Sequence, residues 1–229
     1  TEGQYSSTDM MIEPDASAAS YFFAASAITQ GNIRVKGLHR NSWQGDIQFV
    51  DVLEELGAQV TWGPDWIEVQ GDRLSGGTFD LGNFSDTAQT LAAVAAFAES
   101  EVEIKGIGFI RAKETDRIRA IVTELMKCGV EAIEISDGLI IKPNTWRLTG
   151  ASIDTYDDHR MAMSMALLGL RVPRIEIRNS ACVSKTFPDF FSVLEDLRPR
   201  AAPSTDVVGV AAIDGPAGSG KSTVARALA

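Results

Sequence analysis

Three aspartates set a period along this chain, and that period constrains the fold more than any other feature. Asp15 and Asp86 lie 71 positions apart, and Asp86 and Asp158 lie 72 apart. Each opens an apolar run, and each is followed by a second aspartate at a nearly fixed distance: Asp15 to Asp46 is 31, Asp86 to Asp116 is 30 and Asp158 to Asp189 is 31. Val35-Lys36-Gly37 and Ile104-Lys105-Gly106 occupy matching places. A unit of helix, strand, helix and hairpin cannot bury its own sheet, so neighbouring units have to pack on one another. Aspartate at a helix start is also an ordinary cap for free backbone N–H groups. The spacing therefore speaks for architecture before it speaks for chemistry.

Residue patterns fill in each unit. In the first, Asp15 to Ile28 reads as a helix apolar all round, Asn32 to Lys36 as a strand and Asp46 to Leu56 as an amphipathic helix. Gln59 to Trp62 and Trp66 to Gln70 read as a hairpin across Gly63-Pro64-Asp65. The second unit has a helix from Asp86 to Ala98, a strand from Glu101 to Lys105 and a helix from Asp116 to Cys128. A hairpin of Glu131 to Ile135 and Leu139 to Lys142 follows. The third has a helix from Asp158 to near Gly169, a strand from Arg174 to Arg178, a loop carrying Lys185 and a helix from Asp189 to about Leu197. The fold class is α/β (α+β), with the domain running over residues 1–198 and a Pro- and Ala-rich linker over 199–206.

Composition narrows the function classes. A formal charge of −10 over 229 residues argues against non-specific nucleic-acid binding, which needs a basic face. Two cysteines, Cys128 and Cys182, cannot make a disulfide framework and point to a reducing cytoplasm. No signal peptide and no 18-residue apolar run is present, so neither export nor a membrane partner is expected. The chain opens on Thr1 and ends within a helical pattern, as if cut at both ends.

Against that acidic background, cations collect at helix starts. Arg111-Ala112-Lys113-Glu114-Thr115-Asp116-Arg117 places five ionisable groups in seven residues just before a helix that Thr115 or Asp116 can cap. The third unit offers Asp157, Asp158, His159, Arg160 and Lys185, and the first only Arg40 and Asp46. Equivalent loops of stacked units face a common mouth, where Arg117 and Arg160 can hold phosphate or carboxylate through their planar forks. Carboxylates beside such cations suit proton transfer to or from the bound anion. A solvated, well-capped helix start accounts for the same letters without any ligand. No cluster of His and Cys has metal-site spacing.

Four segments carry a resemblance: Asp15-Ala-Ser-Ala-Ala-Ser-Tyr21, Lys113-Glu-Thr-Asp-Arg117, Asp157-Asp-His-Arg-Met-Ala-Met163 and Lys185-Thr-Phe-Pro-Asp189. From about Met11 to Leu197 the chain resembles the C-terminal domain of the EPSP synthase (3-phosphoshikimate 1-carboxyvinyltransferase) family. The resemblance implies βαβαββ-like repeats around a pseudo-threefold axis. It also implies transfer of the enolpyruvyl group of phosphoenolpyruvate to the 5-hydroxyl of shikimate 3-phosphate, with release of phosphate and no metal or organic cofactor. By the same resemblance, Asp86 takes the hydroxyl proton and Lys113 binds shikimate 3-phosphate. Glu114 relays a proton to the methylene of phosphoenolpyruvate. Arg117, Arg160 and Lys185 hold phosphoenolpyruvate, Lys185 also serving in proton transfer, and Asp158 supports the cations. Where the family often has a substrate-contacting Asn, this chain has Phe109. The family's other domain, which completes both substrate sites, is not within these residues, so the chain alone is expected to be inactive.

Residues 207–229 change character. Val207 to Ile213 is a β-type run, and Gly215 to Ser222 fits G-x-x-x-x-G-K-S before a helical pattern. In such a loop Gly215, Gly218 and Gly220 let backbone N–H groups cradle the phosphates of ATP. Lys221 reaches the outer phosphates, and Ser222, followed by Thr223, supplies a hydroxyl to Mg²⁺. The run resembles the start of bacterial cytidylate kinase, truncated here. That leaves rival readings open. One is a CMP kinase carrying the repeats as a passenger, another is the related UDP-N-acetylglucosamine enolpyruvyl transferase, and a third is a non-catalytic scaffold.

Overall fold

The structure is a computed structural model that describes residues 7, 9, 12–197 and 209–212. In chain order, the first unit is α1 (Ala16–Thr29), β1 (Asn32–Lys36), α2 (Phe49–Leu56), β2 (Gln59–Trp62) and β3 (Trp66–Gln70). The second is β4 (Gly77–Asp80), α3 (Ala88–Ala95), β5 (Val102–Lys105), α4 (Arg117–Lys127), β6 (Glu131–Ile135) and β7 (Gly138–Lys142). The third is β8 (Ser152–Ile153), α5 (His159–Ala166), β9 (Glu176–Ile177) and α6 (Phe190–Asp196), and β10 (Gly209–Ala212) follows.

Two four-stranded sheets share one layout. In the order β4-β5-β7-β6, β4 runs parallel to β5 while β7 and β6 are antiparallel. In the order β10-β1-β3-β2, β10 takes the place beside β1 that β4 takes beside β5. Among the described residues the third unit has only the parallel pair β8-β9. Glycine is obligatory at the repeated Val-Lys-Gly and Ile-Lys-Gly corners. Gly37 and Gly106 have φ of 85° and 76°, and a Cβ on Gly106 would lie 2.2 Å from an Asp80 carboxylate oxygen.

The helices divide by composition. All eight residues of α3 and eleven of the fourteen in α1 are buried, which their lack of any polar face requires. Helix α3 packs against both α1 and α5 in the interior, where small residues allow close approach. There Ser20 and Thr90 hydroxyls lie 3.4 Å apart and Thr90 and Ser164 3.2 Å, linking the three helices. The amphipathic helices α2 and α4 cover the sheets, and an aromatic group of Tyr21, Phe22, Phe187 and Phe190 seats α6 on α1.

The sequence-based hairpins and β1 agree with the structure, with β7 starting one residue earlier at Gly138. Except for α1, the helices are shorter than the runs read from sequence. Gly45–Gln48 and Ser85–Thr87 are single 3₁₀ turns ahead of α2 and α3, and Leu167–Leu170 is another after α5. The short strands β4 and β8 escaped sequence reading, since two to four residues of mixed polarity carry no period. The predicted strand Arg174 to Arg178 shrinks to β9, because β8 offers only two pairing positions. The linker 199–206 and the phosphate-loop residues Gly215, Gly218, Gly220, Lys221, Ser222 and Thr223 lie outside the described residues.

Candidate active site

The three interior helices begin at one end of the fold, and their first residues behave differently. Asp15 accepts a hydrogen bond from Ala18 N and caps α1. Asp158, wholly buried, accepts from Arg160 N at 2.8 Å and caps α5. Asp86 makes no capping bond to α3. Its carboxylate instead accepts from Arg117 Nη1 at 3.2 Å and Arg160 Nη2 at 2.8 Å. A capping role therefore does not explain Asp86, although the spacing that makes it equivalent to Asp15 allowed one.

Arg117 is the hub. It is the first residue of α4, which Asp116 caps by accepting from Arg119 N. Its side chain is 2% exposed. Nε donates to Asp158 at 2.8 Å, Nη1 to Asp86, and Nη2 to Glu114 at 2.7 Å. Glu114 also accepts from Lys185 Nζ at 2.7 Å. Residues 86, 114, 117, 158, 160 and 185 thus form one connected network drawn from the second and third units. Arg117 is oriented by three carboxylates that use its whole donor fork, which a lysine could not replace. Lys113, one residue before Glu114, is exposed and has no ion pair among the described residues. It is free to take an incoming anion.

Electrostatics follow the contacts. The hydrogen bond from Lys185, helped by Arg117, pulls the Glu114 carboxyl down to about 2, so it is ionised at neutral pH. Burial lowers the His159 imidazole, with Arg160 acting the same way, and leaves it neutral and outside the set of charged ligands. Burial raises the Tyr21 phenol to about 12 against the opposing field of Arg160.

Two neighbours named among the sequence's charges take contacts that the sequence did not assign. Arg111 is structural: its guanidinium donates to Asp116, to Glu134 at 2.7 Å and to the Ile135 carbonyl at 2.8 Å, fixing the approach to α4. Asp46 accepts a hydrogen bond from Ser17 Oγ at the start of α1 rather than capping α2. Burial raises its pKa, with Arg160 opposing and Asp86 adding to the rise, so it borders the same mouth. Its repeat equivalent, Asp116, caps a helix, and only that mismatch could have signalled the difference. Phe109 is 54% exposed on the 3₁₀ turn before Lys113, and cannot supply the polar contact of an Asn. Cys128 is buried, and burial raises its thiol to about 11; Cys182 is half-buried, and both are free. Among the described residues no group of His, Cys, Asp and Glu could hold a metal, and no helix is long and apolar enough to cross a membrane.

Comparison with known proteins identifies the family. The family model described as EPSP synthase (3-phosphoshikimate 1-carboxyvinyltransferase) matches residues 1–194. The 3-phosphoshikimate 1-carboxyvinyltransferase of Nostoc punctiforme is 50% identical over 190 residues, covering 82% of this chain and 44% of the relative. That of Vibrio campbellii is 47% identical over 189 residues, with the same coverage. A solved EPSP synthase from Acinetobacter baumannii superposes with a TM-score of 0.71 at 27% identity, over 79% of this chain and 45% of that one. The chain therefore spans under half the length of the relatives it matches.

Proposed function

Because this chain belongs to the EPSP synthase family, we propose that it supplies one half of a site that transfers the enolpyruvyl group of phosphoenolpyruvate to the 5-hydroxyl of shikimate 3-phosphate. The observation that carries this reading is the shared grip of Arg117 and Arg160 on Asp86, with Lys185 held on Glu114 beside it. Without substrate, each of these cations rests on a carboxylate. A phosphate and a carboxylate from phosphoenolpyruvate can replace those partners and find donors already aimed, which removes most of the reorganisation from the reaction.

The steps balance without a cofactor. Asp86 accepts the proton of the 5-hydroxyl as its oxygen bonds to C2 of phosphoenolpyruvate. The C2–C3 double bond takes a proton at the methylene carbon, supplied by the Lys185 ammonium directly or relayed through Glu114, giving a tetrahedral intermediate. The C2–O bond to phosphate then breaks, C3 returns its proton to the same relay, and the enol ether leaves together with a phosphate that carries off the proton held by Asp86. Arg117, Arg160 and Lys185 hold the departing phosphate, Lys113 binds the 3-phosphate of the acceptor, and Asp158 keeps Arg117 oriented.

A further domain, of the kind that makes up the rest of the relatives' length, completes both substrate sites in this reading. The units are arranged around a pseudo-threefold axis, as the shared order of the two four-stranded sheets supports. The domain covers residues 1–198, and residues 207–229 begin a P-loop kinase domain taking ATP and Mg²⁺, which the motif at 215–223 supports. A cytoplasmic setting in the shikimate pathway, which leads to aromatic amino acids, follows. Phosphate release from both substrates by the full-length protein, abolished by Arg160→Ala, is expected. Full release by that variant, or none by the parent, refutes the assignment.

A further inference from the structure

One buried carboxylate takes no part in this scheme. Glu124 lies on α4, two turns after Arg117, and is wholly buried. Helical periodicity puts both residues on the face of α4 turned inward. Glu124 accepts three kinds of donor: Lys127 Nζ at 2.9 Å, the Tyr156 hydroxyl at 2.6 Å and the backbone N–H of Asp154 at 3.1 Å. Two of those donors belong to a single turn, residues 154–157, that leads directly into Asp158 and Arg160.

That turn is held against its own preference. Tyr156 and Asp157 both have left-handed backbones, with φ of 55° and 58°. Consecutive residues with side chains adopt that conformation only where their surroundings over-determine it. The turn is tied at both ends. Glu124 and Lys127 fasten Asp154 and Tyr156 to α4, while Asp157 accepts from Asn179 Nδ2 at 3.0 Å. Asn179 immediately precedes the 3₁₀ turn Ser180–Lys185, which ends on Lys185. At its exit the turn delivers Asp158 to Arg117, and Arg160 to Asp86. Helix α4 thus clamps the segment twice, through Arg117 on the Asp158 side chain and through Glu124 on the turn.

We propose that Glu124, acting with the Tyr156 hydroxyl, is a positioning residue that holds the 154–157 turn so that Arg160 and Lys185 point into the mouth. The substrate names in its test rest on the reading above. Displacing a cation by about 1 Å weakens binding of the anion it serves far more than binding elsewhere, by about tenfold or more. The test uses the full-length protein with Glu124→Gln and, as a milder change that retains the fold, Tyr156→Phe. Amide hydrogen exchange in peptides spanning 154–160 is expected to quicken in both. KM for phosphoenolpyruvate is expected to rise about tenfold in Glu124→Gln and less in Tyr156→Phe, with KM for shikimate 3-phosphate within about twofold of the parent. Unchanged exchange overturns the clamp. Quicker exchange with an unchanged KM for phosphoenolpyruvate, or an equal rise in both KM values, overturns the positioning role. If the parent transfers no enolpyruvyl group, the functional reading fails separately. Calorimetric titration with inorganic phosphate then decides, with weaker binding by both variants expected and equal binding overturning the inference.

Discussion

Replacing Arg117 by Met tests the hub of the network most directly. Met keeps most of the apolar stem and removes the charge. Asp158 is then left wholly buried with its bond from Arg160 N but no cation on its carboxylate, while Asp86 keeps Arg160 and Glu114 keeps Lys185. Removing one partner of a buried pair costs about 3–5 kcal/mol, mostly from the stranded charge. For a chain of this size that is a fall in Tm of about 6–20 °C. Asp158→Asn costs about 1–2 kcal/mol, because Asn caps a helix as well as Asp and Arg117 retains two carboxylates. The double variant strands no charge, so it is expected to be more stable than Arg117→Met alone by at least about 1 kcal/mol. Urea unfolding followed by circular dichroism gives the four stabilities. Two results refute the reasoning: single losses that simply add, or an Arg117→Met protein within about 1 kcal/mol of the parent.

Three further predictions follow from the same contacts. Lys185→Met is expected to let the Glu114 carboxyl rise from about 2 toward its ordinary 4.5, as read by carbon-detected NMR titration, and an unmoved titration contradicts the bond. Since a depressed carboxyl stabilises the fold above its unfolded value, that contribution is lost as pH falls from 4.5 toward about 2, and this part of acid unfolding should shrink in the variant. Asp46 has the opposite sign: its pKa is raised above 3.8, so its contribution is present below that value and fades as pH rises through the folded pKa. Asp46→Asn should therefore gain on the parent between pH 4 and 7 in urea titrations, and a relative loss counts against burial as the cause. Asp86→Asn in the full-length protein should cut phosphate release by about 10²–10⁴-fold while Tm stays within a few degrees, as expected of a proton acceptor that caps nothing. A drop of less than threefold removes Asp86 from that role.

Much of this molecule is legible in its letters, for a local reason. Period, glycine corners and hairpin turns depend on residues within a few positions of one another, so the 71- and 72-residue spacing, the Val-Lys-Gly corners and both hairpins follow from sequence. Strands β4 and β8 do not, because a strand of two to four residues exists only through the neighbour it pairs with. The aspartates divide in the same way. Asp15, Asp86 and Asp158 are equivalent by spacing, and only the approach of Arg117 and Arg160 from other units turns Asp86 from a cap into a shared acceptor. Likewise Glu124 reads as one more surface charge on an amphipathic helix until a turn 30 residues away closes over it. Sequence determined which units form. Tertiary packing decided which of their charges are buried, and burial is what makes a charge demand a partner.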